Sequence, residues 1–212
     1  MGAVKHNVFG RRERNKLNKL RRIKDAAAEL FNLKGYDDTT IREVAARADV
    51  GLGTVFVYVA TKRDLLFLTV NEDLECVVNK AAEKRRADRP MLDELLRLFR
   101  GYYVYFAQEP ALSRLSLREM AFYASGPEAQ RFQKMRDRVI ELIDDIVSTA
   151  IDSGEILTVE KPGLITSVIF AIYQVEVRRW LSSDELTIKR GLLSLRKQLE
   201  LFVTGLSPRE RA

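Results

Sequence analysis

The chain of 212 residues has one cysteine and one histidine, and each scarcity closes off a class of function. The single Cys76 excludes an internal disulfide and fits a reducing compartment. One histidine, His6, beside one cysteine offers no metal-ligand cluster and no readable nucleophile–base pair. Neither a metal site nor a catalytic site is therefore expected, and no cofactor is called for. No run of eighteen apolar residues occurs, so no membrane span is expected. No apolar signal core follows the N-terminus, and His6 stands where a myristoylation signal needs Ser or Thr. These absences point to a cytoplasmic protein. Alternating strand patterns, internal repeats and low-complexity stretches are missing as well.

What is present is an uneven charge. The net charge is +6, yet residues 1–63 alone carry 14 Lys or Arg against 7 Asp or Glu. The densest stretch runs from Lys5 to Lys24 and includes Arg11, Arg12, Arg14, Lys16, Lys19, Arg21 and Arg22, with Glu13 against them. Such a segment implies a polyanionic partner. A solvated basic tail is the alternative from charge alone. A transit peptide is disfavoured because the basic run continues into an amphipathic pattern.

The remaining pattern is helical almost everywhere, and the fold class is all-α. Leu20, Ile23, Ala27, Leu30 and Phe31 recur at helical spacing, and Gly35 can end that helix at its C′ position. Thr40 to Glu43 reads as a capping box opening a second helix, and Asp49 to Gly53 as a turn. Pro90, Pro110 and Pro127 sit at or just before helix starts, and Gly154 lies where the helix after Pro127 ends. Val55 to Val59 reads as a strand by propensity. It has no partner strand, so a helix is expected there against its local preference.

Thr39 to Leu66 is the most informative stretch: a capped helix, a Gly-containing turn, a short second helix, then a helix headed by Lys62. Directly behind a basic N-terminus, this is the order a helix-turn-helix needs to place one helix in the major groove and clamp the flanking phosphates. Gly53 lets the backbone approach DNA, Thr54 can meet a base or phosphate, and Tyr58 and Lys62 can contact phosphates. Gly51-x-Gly53 is a weak match to a nucleotide-binding loop, since it lacks a third glycine and follows a helix.

Val50 to Leu65 resembles the DNA-binding signature of the tetracycline-repressor family, V-S-x-G-T-[LIV]-Y-x-[YH]-F-x-x-K-x-x-L. The preceding Thr39 to Ala45 matches the family's helix before the turn. Three residues depart: Gly51 replaces Ser, Phe56 replaces Tyr, and Val59 replaces a core Phe. The resemblance covers about the first quarter of the chain. It implies an N-terminal three-helix helix-turn-helix DNA-binding domain and a C-terminal helical bundle domain with dimerising last two helices. It also implies a homodimer on a pseudo-palindromic double-stranded DNA operator, released by a small-molecule effector whose identity is not readable. On this reading residues 1–15 form a basic flexible arm, 16–62 the DNA-binding domain, 63–205 the effector-binding and dimerisation domain, and 206–212 a tail. The DNA-contacting residues are expected to be Arg11, Arg12, Arg14, Thr40, Arg42, Gly51, Leu52, Gly53, Thr54, Phe56, Val57, Tyr58 and Lys62.

Two further clusters belong to the second domain. Tyr102, Tyr103, Phe106, Arg118, Met120, Phe122 and Tyr123 are the expected ligand pocket, being aromatic with polar handles. Plain core packing is the alternative for each of them. Ile188, Leu192, Leu195, Leu199, Phe202 and Leu206 step by four and three, a seam for side-by-side helices. With Ile169, Tyr173 and Trp180 of the preceding helix they are expected at a dimer interface, Glu176 lying beside them. A purely intramolecular bundle is the other reading. Functions of other classes remain: a small-molecule-binding all-α enzyme with a basic tail, or a DNA-binding protein without an effector.

Overall fold

Proline and glycine set most of the helix boundaries. The computed structural model describes residues 10–120 and 122–206; the arm before Gly10, His6 included, and the tail beyond Leu206 lie outside the described residues. Among the described residues there are nine helices and no strand. They are α1 (Arg11–Lys34), α2 (Ile41–Arg47), α3 (Leu52–Phe56), α4 (Lys62–Glu83), α5 (Met91–Gln108), α6 (Pro110–Glu119), α7 (Pro127–Asp152), α8 (Pro162–Leu181) and α9 (Ile188–Leu206). Helices α6, α7 and α8 each begin on a proline, whose missing N–H is one the first turn leaves unpaired anyway. Gly35 ends α1 with φ 84°, a conformation that an L side chain resists. No helix among the described residues is long and apolar enough to cross a membrane.

The chain divides into two compact units. The first comprises Met1–Thr69 and Gly126–Glu128. Its core is Ile23, Ala27 and Phe31 of α1, Val44 and Ala45 of α2, Val55 and Val59 around α3, and Leu65 and Leu66 of α4. Val59 is 2% exposed, so it fills the core place where the family signature has Phe. Three ion pairs strap α1 to the helix-turn-helix: Arg22 to Asp49, Lys34 to Glu43, and Arg47 to Glu29. The basic run therefore behaves differently along its length. Residues 11–15, expected to be flexible arm, already form the first turns of α1. Arg22 is spent on Asp49, donating to its carbonyl at 2.5 Å and its carboxylate at 2.7 Å.

The second unit comprises Val70–Ser125 and Ala129–Ala212, so the division falls inside α4 after Thr69. In it α5 packs on α9, α9 on α8, and α6 on both α5 and α8. The first turn of α5 is closed by Glu155, whose carboxylate accepts from the Met91 N–H at 2.9 Å. Glu94, 1% exposed, is neutralised by Arg97 and Arg89 at 2.7 and 3.2 Å. Burial alone would raise its carboxyl's pKa, but the hydrogen bonds and charge of Arg97 outweigh that and hold it below the usual carboxylate range.

Leu195 and Leu199 of the expected dimer seam are 0% exposed within this one chain. Ile169, Tyr173 and Trp180 are buried with them. Trp180 lies 4.6 Å from the Tyr103 ring, and its indole N–H donates to the Thr187 carbonyl at 3.0 Å. Glu176 is also internal, accepting from the Ser194 hydroxyl at 2.7 Å and pairing with Arg179. The four-three stepping is therefore a seam between α9 and the chain's own α5 and α8. Such stepping reports a helix packed lengthwise and not whose helix it packs on. Ile188, Leu192 and Phe202 are partly exposed; the Leu206 side chain lies outside the described residues.

Candidate nucleic-acid interface and effector cavity

The capping box forms as its residue types require. The Thr40 hydroxyl accepts from the Glu43 N–H at 3.2 Å, and the Glu43 carboxylate accepts from the Thr40 N–H at 2.8 Å. Lys34 first, then the Thr40 backbone and hydroxyl, pull the Glu43 carboxyl down to about 2. The turn that follows is not made by a glycine. Asp49 takes the left-handed conformation, with φ 49°, whereas Gly51 has φ −65° and caps α3. Aspartate tolerates that region better than most L residues, and Arg22 holds it there.

Helix α3 is five residues long and starts at Leu52, so Gly53 lies inside the helix and not in the turn. Its Val55 is buried, while Phe56 and Val57 are 51% and 74% exposed. Strand propensity yields here because only two of the five residues from Val55 to Val59, its first and last, enter the core. A Cβ added at Gly53 meets nothing within 4 Å, so the fold does not demand glycine there. The Tyr58 hydroxyl donates to the Lys16 carbonyl at 3.2 Å and joins the chain just after α3 to α1. A surface depression beside that bond is lined by Arg12, Lys16, Lys19, Thr54, Val57 and Tyr58. Arg11, Arg14 and Arg42 are exposed near the starts of α1 and α2.

Lys62 differs from the expectation. Its ammonium donates to the carbonyls of Tyr36, Asp37 and Thr39 at 2.9, 3.0 and 3.1 Å and sits 4.5 Å from the Tyr36 ring centroid. An ammonium has three protons, and all three are used. The chain from the end of α1 to the start of α2 is thereby tied to the head of α4.

In the second unit a cavity of about 430 Å³ opens among α4 to α8, within the usual range for small-molecule sites. Of the expected pocket residues, Tyr102, Phe106, Met120, Phe122 and Tyr123 line it. Tyr103 and Arg118 do not. Tyr103 points to Trp180, and Arg118 pairs with Glu119 at 3.0 Å. Phe122 forms part of the mouth, 99% exposed and with φ 57°. Tyr173, expected at the interface, lines the cavity instead. Sequence reading missed the walls that α7 and α8 contribute, chiefly Met135, Arg136, Val139, Phe170, Gln174 and Arg178. One signal pointed to them: α8 is apolar on most sides, because it faces both the bundle and the cavity.

Burial grades along this cavity. Tyr102, Phe106, Tyr173 and Val177 are buried at its inner end, whereas Phe122, Ala124 and Arg136 are exposed at its mouth. The site therefore presents a mainly aromatic and aliphatic interior, with Tyr102 and Tyr173 at its inner end and Arg136 at the entrance.

Comparisons with known proteins agree with this architecture. Residues 23–68 match the family model described as bacterial regulatory proteins, tetR family. The chain is 24% identical over 194 residues to the fatty acid metabolism regulator protein of Bacillus subtilis, covering 91% of this chain and 98% of that protein. The crystal structure of FadR from Bacillus subtilis in complex with stearoyl-CoA superposes with a TM-score of 0.68 at 23% identity, over 87% of this chain and 98% of that one. FadR from Thermus thermophilus, a transcriptional repressor solved with lauroyl-CoA, gives a TM-score of 0.66 at 24% identity, covering 90% and 96%. The solved structures carry the fold. Residues 23–68 carry the DNA-binding module of the tetR family of bacterial regulatory proteins, and the chain is a DNA-binding transcriptional regulator.

Proposed function

We propose that this regulator represses transcription by binding a pseudo-palindromic operator as a homodimer, and that an acyl-CoA-type thioester entering the α4–α8 cavity releases it. The observation that carries the effector class is the gradation of that cavity, mainly apolar inside with Arg136 at the mouth. An acyl chain fits the interior and a phosphorylated head group fits the arginine. The acyl-CoA ligands of the two FadR structures support the same class. Its relatives are regulators and not enzymes, and we assign this chain no catalytic activity. Its place of action is the cytoplasm, where the DNA is.

On the DNA side, α3 offers Leu52, Thr54, Phe56 and Val57 to base edges, while Gly51 and Gly53 let the backbone come close. Thr40 and Arg42, with Arg11, Arg12 and Arg14 of α1, meet the flanking phosphates, and Tyr58 reaches one only by giving up its bond to the Lys16 carbonyl. Lys62 acts by holding the module together. For dimerisation we assign the outer faces of α8 and α9, where Leu164, Val175 and Leu201 are 53%, 54% and 77% exposed. The inward seam of Leu195 and Leu199 is already filled by the chain itself.

The test is to select bound genomic fragments with the purified protein and then titrate lauroyl-CoA and stearoyl-CoA against the complex. Release at micromolar thioester, with none by free coenzyme A, is the expected result. Retention of DNA at saturating concentrations of both thioesters would refute the effector class.

Gly53 supplies a second check. In a helix that meets nothing at this position, Gly53→Ala is expected to stabilise the protein by roughly 0.5–1 kcal/mol. Operator affinity should nevertheless fall at least tenfold, because the added methyl stands between α3 and the DNA. Thermal unfolding and a binding isotherm on the same variant read the two opposite signs. Unchanged affinity would move the closest backbone approach elsewhere.

A further inference from the structure

The inner end of the effector cavity is not uniformly apolar. This inference rests on the acyl-thioester reading above and concerns what the deepest part of the ligand carries. Tyr102 of α5 and Tyr173 of α8 meet there, 4% and 6% exposed, with ring centroids 5.9 Å apart. Phe99 stacks on Tyr173 at 4.2 Å and Phe106 lies 6.3 Å from Tyr102, so both phenols are held in place by packing. The Tyr102 hydroxyl donates to the thioether sulfur of Met135 at 3.7 Å, and a thioether is a weak acceptor. Tyr103 gives no relief, since its own hydroxyl is buried without a hydrogen-bond partner among the described residues. Burial raises the pKa of all three phenols, and Tyr102 and Tyr103 add to the rise at Tyr173. At neutral pH these groups are neutral O–H donors.

A buried hydroxyl with a poor acceptor costs free energy that a plain hydrocarbon chain cannot return. A ligand oxygen placed against it can. A cavity meant for a saturated chain has no use for phenols at its floor, where phenylalanine fills the same volume without a polar atom. We propose that the effector is an oxygenated acyl thioester, with its anionic head at the Arg136 mouth and a hydroxyl or carbonyl oxygen at its far end accepting from Tyr102, with Tyr173 as the second donor. The oxygen displaces the Met135 sulfur as the partner of Tyr102 and discriminates against unsubstituted chains of the same length.

The full-length protein can be titrated calorimetrically with lauroyl-CoA and with 12-hydroxylauroyl-CoA, which differ by that one oxygen. The hydroxylated thioester is expected to bind about tenfold more tightly. Tyr102→Phe should remove most of that preference by weakening the hydroxylated ligand. Tyr173→Phe gives an independent reading if the first variant folds poorly. Equal binding, or tighter binding of lauroyl-CoA, overturns the oxygen contact and leaves the acyl-thioester reading standing. Binding of neither thioester overturns both. A preference that survives both substitutions overturns the role of these phenols.

Discussion

Replacing Lys62 with alanine is expected to destabilise the protein by about 2 kcal/mol and to weaken DNA binding on every sequence alike, while the salt dependence of binding stays the same. The ammonium donates to three backbone carbonyls at 2.9 to 3.1 Å, and hydrogen bonds from a charged donor contribute about 1.5–3 kcal/mol when well placed. Lys62 is half-buried, which discounts that figure for solvent. Losing it frees the segment between α1 and α2, and with it the start of α2, so the module is less often in its binding form. Had Lys62 contacted a phosphate, its removal would instead make the log–log salt slope shallower by about one per module and two per dimer. Binding isotherms at several salt concentrations decide the matter. A shallower slope with unaltered thermal stability would return Lys62 to the DNA.

Gly191→Ala is expected to cost about 2–3 kcal/mol, the opposite sign from the usual gain of alanine over glycine in a helix. A Cβ at this position in α9 would stand 2.4 Å from Tyr103 Cε1 and 2.8 Å from Trp180 Cδ1. Neither ring can give way cheaply. Tyr103 is 0% exposed, and the Trp180 indole is fixed by its bond to the Thr187 carbonyl. Helix α9 must therefore move off α5 and α8, disturbing the pair of helices assigned to dimerisation. Urea unfolding followed by the fluorescence of Trp180, the chain's one tryptophan, measures the loss. Stability equal to or above that of the parent would show that the rings repack.

Gly53 has the opposite surroundings. Both glycines lie inside helices, and nothing in the sequence separates them. One faces open space and the other the edges of two aromatic rings. A single residue carries no mark of what packs against it from 88 positions away, as Tyr103 does on Gly191.

Local signals were the legible ones. The capping box at Thr40 and Glu43, the stop at Gly35 and the proline-marked helix starts each act through neighbouring backbone groups, so the sequence contains the whole interaction. The family signature is likewise contiguous, and it located the DNA-binding module. Partner assignments were not legible. Tyr173 and Leu195 read as interface because period and hydrophobicity say that a face is buried, not which helix buries it. Tyr102 and Tyr103 read as one pocket because they are adjacent in sequence, yet the turn of about 100° between successive helical residues leaves Tyr102 lining the cavity and Tyr103 against Trp180. Arg136 and Arg178 escaped notice because they come from helices that only folding brings beside Tyr102.

By itself, then, the sequence determined the all-helical class, the helix-turn-helix and its charge, since these follow from contacts within one or two turns of chain. Only the tertiary structure decided that Lys62 ties the module together, that the α9 seam is filled from within, and that Tyr102 and Tyr173 line the inner end of the α4–α8 cavity. Those outcomes depend on distances between residues far apart in the chain, which packing sets and periodicity does not encode.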